Sequence, residues 1–251
     1  MLEILIFSII QGITEFIPVS SSSHLIIISK LFNYSSSILL DISVHIGSFI
    51  AVITYFKKDL IGLFKNTKTL IFFVLASLPV ILSGFVLISM NLINNLRTLE
   101  VIGWATILFG LFLYFSDNSK QEKDFNKNFN LNTALKIGIA QCFSLIPGVS
   151  RSGIVITASR FLKFSREESA KISFLLSIPT LFVISCYGFF KIFRDSTSVL
   201  IDINLIAIIF SFCFSFITIK YFLIFLKKFS LICFVIYRII LGIFLLLIVY
   251  L

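Results

Sequence analysis

Gln11, Glu15, Ser21 and His24 place an amide, a carboxylate, a hydroxyl and an imidazole within one short, otherwise apolar stretch that also holds the serine run Ser20–Ser23. Further along the chain, Pro147-Gly148-Val149-Ser150-Arg151-Ser152-Gly153 forms a second polar island in apolar surroundings. Polar groups at membrane depth are costly unless paired or wet, so two such clusters, each just behind a proline, point to a site. Gln11 and Glu15 are four apart and share a helix face, and Ser21 and His24 are three apart on the next one. A hydroxyl, an imidazole and a carboxylate in one cavity can act as nucleophile, base and orienter. Glu15 can instead hold a divalent cation against phosphates. Arg151 offers a planar fork suited to phosphate. Ser20–Ser23 and Ser150–Ser152 are placed to cap and open the helices that follow, whose first N–H groups and positive dipole end suit an anion. Gly148, Ser20, Ser22, Ser150 and Ser152 are therefore candidate anion-binding positions. Two helix starts and an arginine converging on one point suggest a bound phosphate or diphosphate.

The elements that must carry these groups are membrane helices. The chain has 251 residues, 58% hydrophobic and 13% charged, with mean hydropathy +1.07, unlike a soluble domain. Apolar runs near 38–56, 69–89, 99–116, 168–190, 202–223 and 231–251 are long enough to cross a bilayer. Residues 2–32 and 133–162 are broken near the middle by Pro18 and by Pro147-Gly148, which leaves halves too short to cross. Such segments suit re-entrant hairpins with tips at mid-membrane.

The broken segments are related. A shift of 130 residues pairs Gln11 with Gln141, Val19 with Val149, Ser20 with Ser150, Ser22 with Ser152 and Ile42 with Ile172, and it also aligns Ile9, Ile26, Ser29, Ser35 and Ser43 with identical residues. These ten identities over residues 9–43 compare with roughly three expected from composition. The pattern predicts an all-α membrane protein of six transmembrane helices and two re-entrant hairpins in one domain over 1–251. Repeat one covers about 1–116, a linker about 117–132 and repeat two about 133–251, and the second copy is inverted because each copy has three spans. The second copy carries Leu145 and Ile154 where the first has Glu15 and His24, and Arg151 where the first has Ser21. Reactive groups thus fall in one copy and the anion clamp in the other.

The net charge of +9 reads as orientation signal and lipid contact rather than nucleic-acid binding, since the lysines sit in short loops. Fifteen basic residues, from Lys57 and Lys58 to Lys227 and Lys228, fall on or near the loops of one side, against Lys30, Arg97, Lys191 and Arg194 on the other. The first side is then cytoplasmic, the first hairpin enters from outside and both termini face outward. Cys142, Cys186, Cys213 and Cys233 read as small buried hydrophobes. Lys227-Lys228 reads as a solvated charge pair. His45 lies within a full span and is polar enough to matter. No basic leader precedes the first apolar stretch.

Gln11-Gly12-Ile13-Thr14-Glu15-Phe16-Ile17-Pro18-Val19-Ser20-Ser21 followed by His24 resembles the first signature of the bacterial undecaprenyl-diphosphate phosphatases of the bacitracin-resistance type. Pro147-Gly148-Val149-Ser150-Arg151-Ser152 resembles the second. The resemblance covers essentially the whole chain. It implies removal of the terminal phosphate from undecaprenyl diphosphate, which recycles the lipid carrier for peptidoglycan synthesis and confers bacitracin resistance. By resemblance, Gln11 and Glu15 form the acidic motif, Ser21 is the nucleophile, His24 the acid/base and Arg151 the clamp. A divalent cation, Mg2+ or Ca2+, is expected with Glu15. The implied location is the bacterial plasma membrane, with the site facing outward. The implied partners are undecaprenyl diphosphate and membrane lipid, with a homodimer left open. The chain departs from the signatures at Val155, where a threonine is usual, at Gln11, where glutamate is commoner, and at Ser22-Ser23, where Thr-Gly is frequent. A transporter is the rival reading, because inverted repeats with broken helices also build transporters.

Overall fold

The computed structural model describes residues 2–31, 38–90, 92–195 and 198–251. Residue 32, the end of the first broken segment, and Ser35 lie outside them, as do the side chains of Lys30, Lys191 and Arg194. The described chain is helical, with no strand and one isolated bridge between Lys123 and Phe164. In order the helices are α1 (Leu2–Thr14), α2 (Ser21–Leu31), α3 (Ile38–Tyr55), α4 (Lys57–Lys65), α5 (Thr67–Ser89), α6 (Ile93–Leu96), α7 (Leu99–Asp117), α8 (Phe125–Asn128) and α9 (Leu131–Gln141). They continue, after a 3₁₀ turn at Cys142–Leu145, with α10 (Arg151–Phe161), α11 (Arg166–Asp195), α12 (Ser198–Leu226) and α13 (Ile232–Tyr250).

Five of these are long and apolar enough to cross a membrane, and α3 with α4 makes a sixth if that pair, bent by 70°, counts as one span. This is a multi-pass membrane protein. The loop expected at 57–68 is mostly helix α4, and α11 and α12 run past the expected ends of their spans. Both predicted breaks occur. α1 stops at Thr14 and α2 starts at Ser21, while α9 stops at Gln141 and α10 starts at Arg151. Pro18 and Pro147 lie in the gaps, where the missing N–H and the ring clash disfavour a continuous helix, although α5 and α11 accommodate Pro79 and Pro179 within them.

α3 packs on α12 and α11, α7 on α13, α1 on α12, and α9 on α5. Small residues let these backbones meet. A Cβ on Gly47 would come within 2.4 Å of the Ile208 carbonyl oxygen, and one on Gly138 within 2.1 Å of the Ala76 carbonyl oxygen. With no hydrophobic drive between helices in lipid, close packing and interhelical hydrogen bonds do the work. Ser48 Oγ accordingly meets Ser211 Oγ at 3.2 Å and Ser215 Oγ at 2.9 Å. The first break is anchored by Phe16, which is fully buried and set edge-on to Phe174 at 5.3 Å.

At one end of the bundle the loops after α4, α7, α10 and α12 converge. Asp117 takes both Arg166 Nε, at 2.6 Å, and Nη2, at 3.0 Å, and accepts from the Leu231 N–H at 3.0 Å. Lys171 pairs with Asp59 and Lys227 with Glu167. Lys227 is thus a solvated charge, as expected, with Glu167 as its surface partner. The four cysteines are free, and none is buried. Cys213 and Cys233 are exposed on the bundle surface, where a small apolar side chain can face acyl chains as well as a core.

Candidate active site

The two breaks interlock. The Gly148 N–H donates to Ser20 Oγ at 3.2 Å, and Ser152 Oγ donates to the Ile17 carbonyl at 2.9 Å. Each helix after a break starts at a serine with left-handed backbone, φ 74° at Ser20 and φ 70° at Ser150. Gly148 sits at φ 101°, and a Cβ there would lie 2.6 Å from the Ile102 carbonyl oxygen, so only glycine fits. Ser150 Oγ caps α10 by accepting from the Gly153 N–H at 3.1 Å. Ser20 departs from the capping role expected of it. Its hydroxyl is engaged with Ser23 Oγ at 2.9 Å, Ser22 Oγ at 3.3 Å and the other break.

Glu15 is the hub, buried in the first break at 7% exposure. Its Oε1 accepts from Arg151 Nη2 at 2.5 Å, and its Oε2 accepts from Gln11 Nε2 at 2.8 Å and from Ser21 Oγ at 2.8 Å. His45 Nε2 lies 3.9 Å from Oε2. Arg151 supplies the charge that makes a buried carboxylate tolerable, since an unpaired one would be very costly.

His24 stands apart from this cluster. Its Nδ1 meets the Ser20 carbonyl at 2.7 Å, and its Nε2 meets the Tyr237 hydroxyl. The two rings stack with centroids 5.7 Å apart and planes 8° apart. No hydrogen bond joins Ser21 to His24 among the described residues. Residues three apart on a helix can approach, but here each side chain finds a better partner: Ser21 the Glu15 carboxylate, His24 a phenol.

The candidate residues thus divide into two groups. Gln11, Glu15, Ser21 and Arg151 are brought together. Ser20, Gly148, Ser150 and Ser152 are buried, with their side-chain or N–H groups spent largely on one another and on the breaks. Ser22 is exposed. Val155 is fully buried in the apolar core.

Sequence reasoning misses Tyr237 and Arg238, both on α13. Arg238 is 1% exposed, yet no carboxylate pairs with it among the described residues. A lone arginine inside a 19-residue apolar helix is the signal that could have found it, because an ionisable residue at membrane depth is a functional candidate by default. Tyr237 carries no such signal, since tyrosines are common in membrane helices.

The profile of the family described as bacitracin resistance protein BacA matches residues 4–244. The chain belongs to this family. It is 45% identical to an undecaprenyl-diphosphatase of Pelagibacter ubique (strain HTCC1062), over 99% of this chain and 98% of that protein. It is 37% identical to one of Saccharophagus degradans, over 96% of this chain and 95% of that protein, and 38% identical to one of Campylobacter curvus, over 97% of each. The match spans both breaks and the part of α13 that carries Tyr237 and Arg238, so every residue of the candidate site lies within the family's extent.

Proposed function

We propose that this protein hydrolyses undecaprenyl diphosphate to undecaprenyl phosphate and inorganic phosphate in the bacterial plasma membrane, recycling the lipid carrier for peptidoglycan synthesis and conferring bacitracin resistance. The observation that carries the reading is the meeting of Arg151 with Glu15, the same carboxylate that receives the Ser21 hydroxyl. Those contacts support reading Arg151 as an anion clamp and Ser21 as a nucleophile on one hub, in a chain whose relatives bear the name of this activity.

The diphosphate would lie against Arg151 and the first N–H groups of α2 and α10. Phosphoryl transfer depends mostly on positioning and charge stabilisation, and a cation beside two helix starts supplies both. Ser21 Oγ attacks the terminal phosphorus, the bridging P–O bond breaks, and undecaprenyl phosphate leaves. Glu15, which already accepts the Ser21 hydrogen, is the base placed to take that proton. Water then attacks the phosphoserine, the P–Oγ bond breaks, and the proton returns to Ser21. His24 keeps its acid/base role on the water, or positions water for direct attack.

The residues present fit a shared cation. Gln11 Oε1 is buried without a partner, and Glu15 lies beside it. No group of three or more His, Cys, Asp or Glu side chains able to hold a metal exists among the described residues. Mg2+ or Ca2+ would thus be held by Glu15 and Gln11 together with substrate oxygens and water, the usual habit of Mg2+ at phosphates. Bound there, it would neutralise charge on the phosphoryl group.

The finer architecture we propose is the inverted repeat with two re-entrant hairpins, over 1–116 and 133–251. The matching left-handed Ser20 and Ser150, and the matching contacts of α1 with α12 and α9 with α5, support it. The gathering of the lysine-rich loops at one end supports a site that opens outward. A membrane-impermeant thiol reagent tests this on Ser21→Cys with the native cysteines replaced. Labelling of intact cells is expected, and labelling only of inverted vesicles would reverse the orientation. The activity itself is tested by phosphate release from undecaprenyl diphosphate with pure protein in detergent. Release is expected without any gradient, and a pure protein that releases none refutes the function.

A further inference from the structure

Arg238 binds carbonyls from three segments. Its Nη1 donates to the Pro18 carbonyl at 3.2 Å and the Val149 carbonyl at 3.0 Å, Nη2 to the Gly148 carbonyl at 2.8 Å, and Nε to the Thr106 carbonyl at 3.2 Å. Pro18 belongs to the first break, Gly148 and Val149 to the second, and Thr106 to α7. The passage for the guanidinium is cleared by glycines. A Cβ on Gly153 would approach Nη1 to 3.1 Å, and one on Gly110 would approach the Arg238 Cβ to 3.2 Å. Among the described residues this buried guanidinium meets carbonyl dipoles and no carboxylate, so its charge is not cancelled there by an opposite one. Breaking the helices exposes carbonyls that α1 and α9 can no longer satisfy, and Arg238 collects them from both breaks at once.

The neighbouring residue, Tyr237, reaches the catalytic candidate His24. The Ser20 carbonyl can only accept, so the His24 nitrogen facing it, Nδ1, carries a hydrogen. In the neutral ring Nε2 is then the basic nitrogen, and the Tyr237 hydroxyl donates to it. Ring stacking fixes the plane of the imidazole.

We propose that α13 is the positioning element of this site: Arg238 locks the two breaks to each other, and Tyr237 holds Nε2 and the ring plane of His24. The kinetic part rests on the phosphatase reading above. Neither residue need touch the phosphate. Arg238 acts through the backbone of the two breaks and Tyr237 through His24. Tyr237 is 42% exposed, so removing its hydroxyl opens no cavity.

The decisive variant is Tyr237→Phe, read in two independent ways. The chain has only two histidines, so the ring nitrogens of 15N-histidine-labelled protein in micelles can be assigned with His45→Gln. Tyr237→Phe should move the His24 Nε2 resonance and leave those of His45 in place. In phosphate-release assays it should lower kcat about 10-fold with KM within about twofold, the pattern of lost positioning rather than lost binding. Unmoved His24 nitrogens, or kcat within about twofold of wild type, overturn the proposal. A wild type that releases no phosphate defeats the phosphatase reading instead, while the nitrogen shift still reports on Tyr237. Arg238→Lys keeps the charge but replaces a fork by a point donor that cannot span four carbonyls. It should cost at least about 10-fold in kcat/KM, and an Arg238→Met protein with wild-type activity overturns the locking role.

Discussion

Arg151 Nη2 meets Glu15 Oε1 across 136 positions of sequence. That one contact joins the helix start after the second break to the carboxylate in the first. It decides how the remaining groups divide, because with Oε1 held by Arg151, Oε2 is the oxygen left for Ser21 and Gln11. The site is therefore a junction between the two broken segments, and neither segment holds it alone.

Ser21 is the group expected to carry the phosphoryl. Ser21→Ala should abolish acid-stable labelling of the protein in single-turnover quenches with terminally 32P-labelled substrate and lower kcat by at least about 10²-fold. Near-normal hydrolysis by Ser21→Ala would replace the covalent route by direct attack of water.

The orphaned Gln11 Oε1 makes a prediction about the cation. Chelation should suppress phosphate release, and adding back Mg2+ or Ca2+ should restore it. Gln11→Glu puts a second carboxylate beside Glu15 and should lower the half-saturating cation concentration by roughly 10-fold, since ligand charge tunes affinity at such sites. An unchanged cation titration curve in Gln11→Glu would remove Gln11 from the cation's surroundings.

Much of this arrangement can be read from the chain. Pro18 and Pro147 lie where the helices stop, and the spacing of Gln11 and Glu15 correctly foretells their contact, because both are local consequences of backbone geometry. The Ser21–His24 pairing is also local reasoning, yet it does not form, since a carboxylate and a phenol from farther away compete better for those groups. Tyr237, Arg238 and His45 meet the breaks only through the register of packed spans. That register is fixed by contacts such as Gly47 against Ile208 and Gly103 against Leu246 and the Gly242 carbonyl, which no spacing rule reveals. The cysteines illustrate the same limit: periodicity marks an apolar segment in a membrane protein but not which face looks inward.

The close approach of α9 to α5 predicts opposite outcomes for two glycines. Gly138→Ala would force a methyl into the Ala76 backbone and should lower the melting temperature markedly, with a cost of at least about 2 kcal/mol. Gly84→Ala meets only the Leu145 side chain at 3.5 Å and should leave melting nearly unchanged. Differential scanning fluorimetry on both variants checks this.

Asp117 ties α7, α11 and the start of α13 together at the loop-rich end. Asp117→Ala removes the carboxylate 3.8 Å from the 5%-exposed Arg160 and strands the Leu231 N–H, at a cost of about 3 kcal/mol. The melting temperature should fall while KM stays within about twofold, because the proposed substrate site lies at the two breaks. A raised KM with unchanged melting would place Asp117 in binding instead.

The sharpest test is a double-mutant cycle of phosphate release from undecaprenyl diphosphate with Glu15→Ala, Arg151→Ala and the pair. Each single change should cost about 10²-fold or more in kcat/KM, and the double variant should be little worse than the poorer single one, as expected of groups acting as one unit. Losses that multiply, or either single variant within about twofold of wild type, would mean that the two breaks do not share a site.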